Sequence, residues 1–119
     1  MLLTFYIAAL KVTICCLKPF KLPFKDMLLD DDRNSKYRRA IKSAVQKKLE
    51  NNEEAHVLDI GSGTGLLSLY AASAGATSVT SIELDPVIFD VSLKIAKRSG
   101  LADRIKFINV ESLELGISF

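Results

Sequence analysis

Apolar and polar residues along this chain follow two periods, and each change of period marks an element. From Asp32 onward, Tyr37, Ile41, Ala44, Val45 and Leu49 recur three and four apart with Lys and Arg between them, which predicts a helix with one apolar face. Asp32 or Asn34 is placed to cap its start. A polar break at residues 51–54 precedes Val57, Leu58 and Ile60, an apolar run short enough to be a buried strand. Residues 66–74 are again helical in composition, and Gly75 stands where a left-handed C-terminal cap belongs. Residues 79–83 predict a second strand. Asp85 and Pro86 fit the N-cap and first position of another helix, whose stripe is Val87, Val91 and Ile95 and whose end is Gly100. Residues 104–110 alternate like a third strand.

Strand, helix, strand, helix, strand with connections this short implies parallel strands joined by crossover helices. That is the nucleotide-binding half of a doubly wound α/β fold. No internal repeat or low-complexity tract competes with it.

The first 25 residues have a different pattern. Residues 1–10 are almost all apolar, Lys11 and Lys18 bracket a second apolar run, and Pro19 and Pro23 block regular helix or central strand, giving a linker or extended arm. A signal peptide would begin with basic residues, and a membrane span needs about 20 uninterrupted apolar residues. Neither condition is met, so no stable membrane association is expected. The chain divides into an apolar leader and Pro-containing arm, 1–25, and a partial α/β domain, 26–119. Its length of 119 residues suits one domain.

A net charge of +2 is too small to imply a nucleic-acid partner, so the Lys and Arg of residues 11–48 are read as a solvated helix face. Cys15 and Cys16 are adjacent and unaccompanied by other cysteines, which excludes a disulfide framework and a cysteine zinc site. Reducing conditions, in cytoplasm and/or nucleus, are expected.

Chemistry concentrates in VLDIGSGTG, whose glycines Gly61, Gly63 and Gly65 lie between the first strand and the next helix. Glycine allows a sharp turn and close approach to a ligand. Position 66 is Leu66, so the G-x-G-x-x-G dinucleotide fingerprint is not met. Asp59 precedes the loop by two residues. A carboxylate there suits a ligand bearing an ammonium group and is unfavourable beside a pyrophosphate, because like charges repel. S-adenosylmethionine fits that requirement better than a dinucleotide. Glu83, at the end of the second strand, is placed to accept the ribose hydroxyls.

Three segments, MLLDDDRNSKY from Met27, VLDIGSGTGLLS from Val57 and IELDP from Ile82, make the chain resemble the protein arginine methyltransferases over about residues 25–115. The first segment discriminates, since many methyltransferases share the glycine loop. The resemblance implies a Rossmann-like methyltransferase fold truncated after about three parallel strands. The implied activity is methyl transfer from S-adenosyl-L-methionine to arginine in proteins such as histones. By position, Arg33 would pair with the cofactor carboxylate, Asp59, Gly61, Ser62, Gly63 and Gly65 would hold its amino-acid portion, and Glu83 the ribose. Met27 would border the substrate channel, and Glu111 and Ser112 the adenine.

The departures are specific. An aromatic-rich helix that covers the cofactor in the family is replaced by residues 18–25 with their two prolines. The double-glutamate loop that grips the substrate guanidinium has no counterpart in the 119 residues, and neither Glu111 nor Glu114 matches it. No catalytic residue is therefore assigned, no metal is implied, and pairing with a full-length family member is one route to an active unit. Two alternatives stay open at this point: a non-enzymatic truncated isoform or fragment, and half of an NAD-dependent oxidoreductase.

Overall fold

A computed structural model gives the architecture and describes residues 25–110 and residue 114. Residues 1–24, with most of the leader and arm, lie outside the described residues, as do Glu111 and Ser112.

A short helix, α1 (Lys25–Leu29), turns at Asp30 into the long α2 (Asp31–Glu50). The strands are β1 (His56–Ile60), β2 (Ser78–Ile82) and β3 (Ile105–Ile108), joined by α3 (Leu66–Ser73), α4 (Pro86–Arg98) and a 3₁₀ turn (Ala102–Arg104). All strand pairs are parallel, in the order β1-β2-β3. Each boundary has a local cause. Asp85 Oδ1 accepts from the Val87 and Ile88 amides at 2.8 and 3.2 Å, so Asp85 and Pro86 start α4 as their types predict. Gly75, at φ +91°, ends α3.

Three sequence expectations about the helices are corrected. The cap of α2 is Asp30, whose Oδ1 accepts from the Arg33 amide at 3.0 Å, rather than Asp32 or Asn34. Three consecutive aspartates offer equivalent caps, and the tight turn after α1 selects the first. The buried stripe of α4 is Ile88, Ser92, Ile95 and Ala96, whereas Val87 is 52% exposed. Ser92 can lie inside because its hydroxyl donates to the Phe89 carbonyl at 2.7 Å. In α2, only Val45 of the expected stripe is buried and Ile41 partly so; Tyr37 and Leu49 stay exposed, as do the Lys and Arg of that helix apart from the half-buried Arg33.

The core lies on one face of the sheet. The register aligns Val57, Val79 and Ile105 in one row, and these pack with Leu69, Ala72, Ile95 and Ala96 of α3 and α4. The next row on that face is Asp59, Ser81 and Phe107. Side chains alternate across a sheet, so Leu58, Thr80 and Lys106 form a row on the opposite face. Leu58 is 50% exposed there. The next row on that second face is Ile60, Ile82 and Ile108, with Ile82 only 2% exposed, so the face is open at Leu58 and closed at Ile82, and β1, which has no buried residue, is not the buried strand its apolar run predicts.

Candidate cofactor site

The site forms where β1 gives way to α3. Ser62 donates its amide to the Ile82 carbonyl at 2.9 Å, and Gly65 donates to Ser62 at 2.9 Å, which folds the loop back over the end of β2. Gly61, Gly63 and Gly65 all have positive φ, from +56° to +82°. Their surroundings separate them. A Cβ on Gly61 or Gly63 would meet nothing within 4 Å, whereas one on Gly65 would lie 3.6 Å from the Ser92 Cβ. Gly61 and Gly63 therefore leave room for a ligand. Gly65 is buried under the loop, where its small size suits packing against α4.

A cleft of about 190 Å³ opens beside this loop, lined by Asp59, Gly61, Ser62 and Gly63 on one side and by Met27 and Arg33 on the other. Six residues singled out from the sequence thus meet in one place. Asp59 Oδ2 accepts from the Ser68 amide and hydroxyl at 3.1 and 2.7 Å. Its Oδ1 accepts no hydrogen bond among the described residues. Burial raises its pKa, against the lowering effect of the two Ser68 bonds, and the nearby Glu83 charge adds slightly to the rise. A carboxylate in that condition gains from an incoming cation.

Arg33 faces the same cleft. Its guanidinium lies 4.6 Å over the Tyr37 ring, and Nη1 donates to Asn34 Oδ1 at 3.0 Å. Most of its N–H donors stay available for an anion. A cation and an anion lining one small cleft match a zwitterion better than either charge alone.

Glu83 stands outside that cleft, across the loop. Its Oε2 accepts from the Gly63 amide at 2.7 Å and its Oε1 from the Asp85 amide at 2.9 Å. Sequence reasoning placed Glu83 only as a ligand group; the structure gives it a scaffold task too. Ionised carboxylates have about four acceptor sites, so both oxygens can still accept from ligand hydroxyls. Asn109 was missed altogether. Its Nδ2 donates to the Glu83 and Leu84 carbonyls at 2.7 and 3.0 Å, pinning the turn that carries Glu83. Asn34, likewise unforeseen except as a cap, is nearly fully buried beneath Arg33. No cluster of metal-ligating residues exists among the described residues, and none of their helices is long and apolar enough to cross a membrane.

Comparison with known proteins fits this geometry. A family model described as ribosomal protein L11 methyltransferase (PrmA) matches residues 41–116. Two proteins named protein arginine N-methyltransferase 7 match over 94 residues, 79% of this chain: that of Bos taurus at 44% identity and that of Xenopus laevis at 45%. Any stretch of 94 residues in this chain must include residues 26–94, and so all three diagnostic segments. The chain belongs to the PrmA methyltransferase family that this model describes, and over 79% of its length it is similar to protein arginine N-methyltransferases.

It carries part of a PrmA-like methyltransferase domain, corresponding to the N-terminal portion of family members. The L11 model starts after the Met27 to Tyr37 segment, so it registers the shared nucleotide-binding half and is blind to the discriminating element. Among solved structures, PRMT6 with SAH superposes with a TM-score of 0.64 at 32% identity, covering 75% of this chain and 24% of that one. The Trypanosoma brucei PRMT1 enzyme-prozyme heterotetrameric complex with AdoHcy gives 0.62 at 30% identity, covering 78% and 28%. Arabidopsis thaliana protein arginine methyltransferase 10 gives 0.60 at 32%, covering 87% and 28%. The chain spans 14% of the length of the curated relatives it matches.

Proposed function

We propose that this chain holds the S-adenosyl-L-methionine half of an enzyme that methylates arginine side chains in proteins, histones among the candidate substrates. The observation that carries the reading is the pairing of Arg33 and Asp59 across one cleft. The cofactor ends in an amino acid, with a carboxylate for Arg33 and an ammonium for Asp59. The size of the cleft agrees. Pockets that enclose a whole drug-sized ligand are about 300–1,000 Å³, so about 190 Å³ suits the amino-acid end, with the nucleoside crossing the loop toward Glu83.

When bound, the cofactor supplies an electrophilic methyl on a sulfonium. This chain's residues bind and orient: Arg33 and Asp59 fix one end, Gly61 and Gly63 permit backbone approach, Glu83 takes the ribose, and Met27 borders the transferred group. Orientation is the main contribution an enzyme makes to such an in-line transfer. Glu111 and Ser112 are assigned to the adenine on resemblance alone. The PRMT1 neighbour in a complex with a prozyme makes a full-length family member a reasonable partner for this chain.

Calorimetric titration of the 119-residue chain with S-adenosylhomocysteine and, separately, with NAD tests the proposal. Binding of the first without the second is expected. Binding of NAD alone would return the oxidoreductase reading.

A further inference from the structure

We propose that Asn34 is a positioning residue that sets the Arg33 guanidinium and couples it to α1, the helix that shares its side of the cleft. This rests on Arg33 being the partner of the cofactor carboxylate. Asn34 is 6% exposed, unusual for an asparagine on an otherwise solvated helix. Its Nδ2 donates to the Met27 and Leu28 carbonyls, each at 3.1 Å. Its Oδ1 accepts from Arg33 Nη1 at 3.0 Å. The amide orientation is fixed by its partners, because the flipped form would set oxygen against two carbonyls and nitrogen against a guanidinium.

Both sets of bonds are needed locally. A short helix such as α1 leaves its last carbonyls short of helical donors, and Asn34 donates to two of them, that of Leu28 and that of Met27, which among the described residues otherwise has only a long bond from the Asp30 amide at 3.4 Å. Those carbonyls belong to Met27 and Leu28, which line the cleft with Arg33. One side chain thereby fixes the wall and the cation together. Arg33 is held from a second direction by the Tyr37 ring one turn along α2, and its own amide caps onto Asp30. An arginine so restrained loses less side-chain freedom on meeting a carboxylate than a free one.

The test uses the full chain and two probes in calorimetry: S-adenosylhomocysteine, and 5′-methylthioadenosine, which keeps the nucleoside and lacks the amino acid. Arg33→Ala should weaken S-adenosylhomocysteine by about tenfold or more and leave methylthioadenosine within about twofold. Asn34→Leu should show the same selective pattern at about three- to tenfold, and the double variant should be no worse than Arg33→Ala, as for residues acting as one unit. Unchanged S-adenosylhomocysteine binding in Asn34→Leu, equal weakening of both probes, or full additivity would overturn the proposal. If Arg33→Ala itself leaves S-adenosylhomocysteine unchanged, the assignment of Arg33 fails, and the role of Asn34 with it. Should circular dichroism show Asn34→Leu unfolded, Asn34→Asp decides, since it keeps the acceptor for Arg33. Retained preference for S-adenosylhomocysteine over methylthioadenosine supports positioning, and loss of that preference contradicts it.

Discussion

Glu83 reaches back from the end of β2 to the glycine loop, where its Oε2 accepts the Gly63 amide at 2.7 Å. The same carboxylate holds the Asp85 amide through Oε1 at 2.9 Å, so the loop after β1 and the start of α4 share one anchor. Glu83→Ala should therefore damage both fold and site. Leaving the part-buried Gly63 amide unpaired costs about 1–3 kcal/mol, while the exposed Asp85 amide can turn to water. The thermal midpoint should fall, and S-adenosylhomocysteine affinity should fall further than stability alone explains. Glu83→Gln, which keeps one acceptor, should lie between. A midpoint unchanged in Glu83→Ala would remove the scaffold role.

Asp59 gives a pH dependence with a definite sign. Its folded pKa is raised by burial above the ordinary 3.8, so its contribution to stability is present below that value and is lost as pH rises through the raised one. An ammonium ligand reverses the preference, because it binds the ionised form. Affinity for S-adenosylhomocysteine should climb across the same window and then level. Asp59→Asn should flatten that profile, raise the melting temperature of the ligand-free chain at neutral pH, and weaken binding. Calorimetry over a pH series reads all but the melting temperature, which scanning fluorimetry supplies.

The glycines divide by what surrounds them. Alanine at Gly61, Gly63 or Gly65 puts a side chain into a left-handed conformation, at about 1–2 kcal/mol. Beyond that common loss, Gly61→Ala and Gly63→Ala place a methyl in open space beside the cleft, and both should weaken ligand binding. Gly65→Ala places it against Ser92 and should spare affinity in the fraction that folds. Affinity losses of equal size in all three would contradict the division.

The exposed side chain of Leu58 predicts a solubility effect. Leu58 is half exposed on the sheet face, so Leu58→Lys should raise the soluble concentration of the 119-residue chain. Stability should change by no more than about 0.5 kcal/mol, as for other surface substitutions. Sedimentation and thermal melting check the two halves of that statement.

The strands and their crossovers were readable because period and capping are local properties. The Asp85 and Pro86 pair and Gly75 each behave as their residue types require, whereas Val57 to Ile60 forms the expected strand without the expected burial, Leu58 being 50% exposed. The buried stripe of α4 was shifted because Ser92 hides its polarity in a bond to its own helix, which no hydropathy pattern registers. The cap of α2 was displaced because Asp30, Asp31 and Asp32 are locally equivalent and the turn from α1 decides among them. That Asp59 lies beside the glycine loop was readable from its position alone. Arg33 was not: its proposed role came from resemblance, and its restraint by Asn34 and Tyr37 is visible only in the fold. The second task of Glu83 depends on a contact twenty residues away in sequence, between a side chain and a backbone amide.

The central claim is that Arg33, Asp59 and Glu83 grip the two ends of S-adenosylmethionine. Titration calorimetry of S-adenosylhomocysteine into the chain and into Arg33→Ala, Asp59→Ala and Glu83→Ala tests it most directly. Each substitution should weaken binding by about tenfold or more, the loss typical of a charge-assisted hydrogen bond. Affinity unchanged in all three would contradict the account.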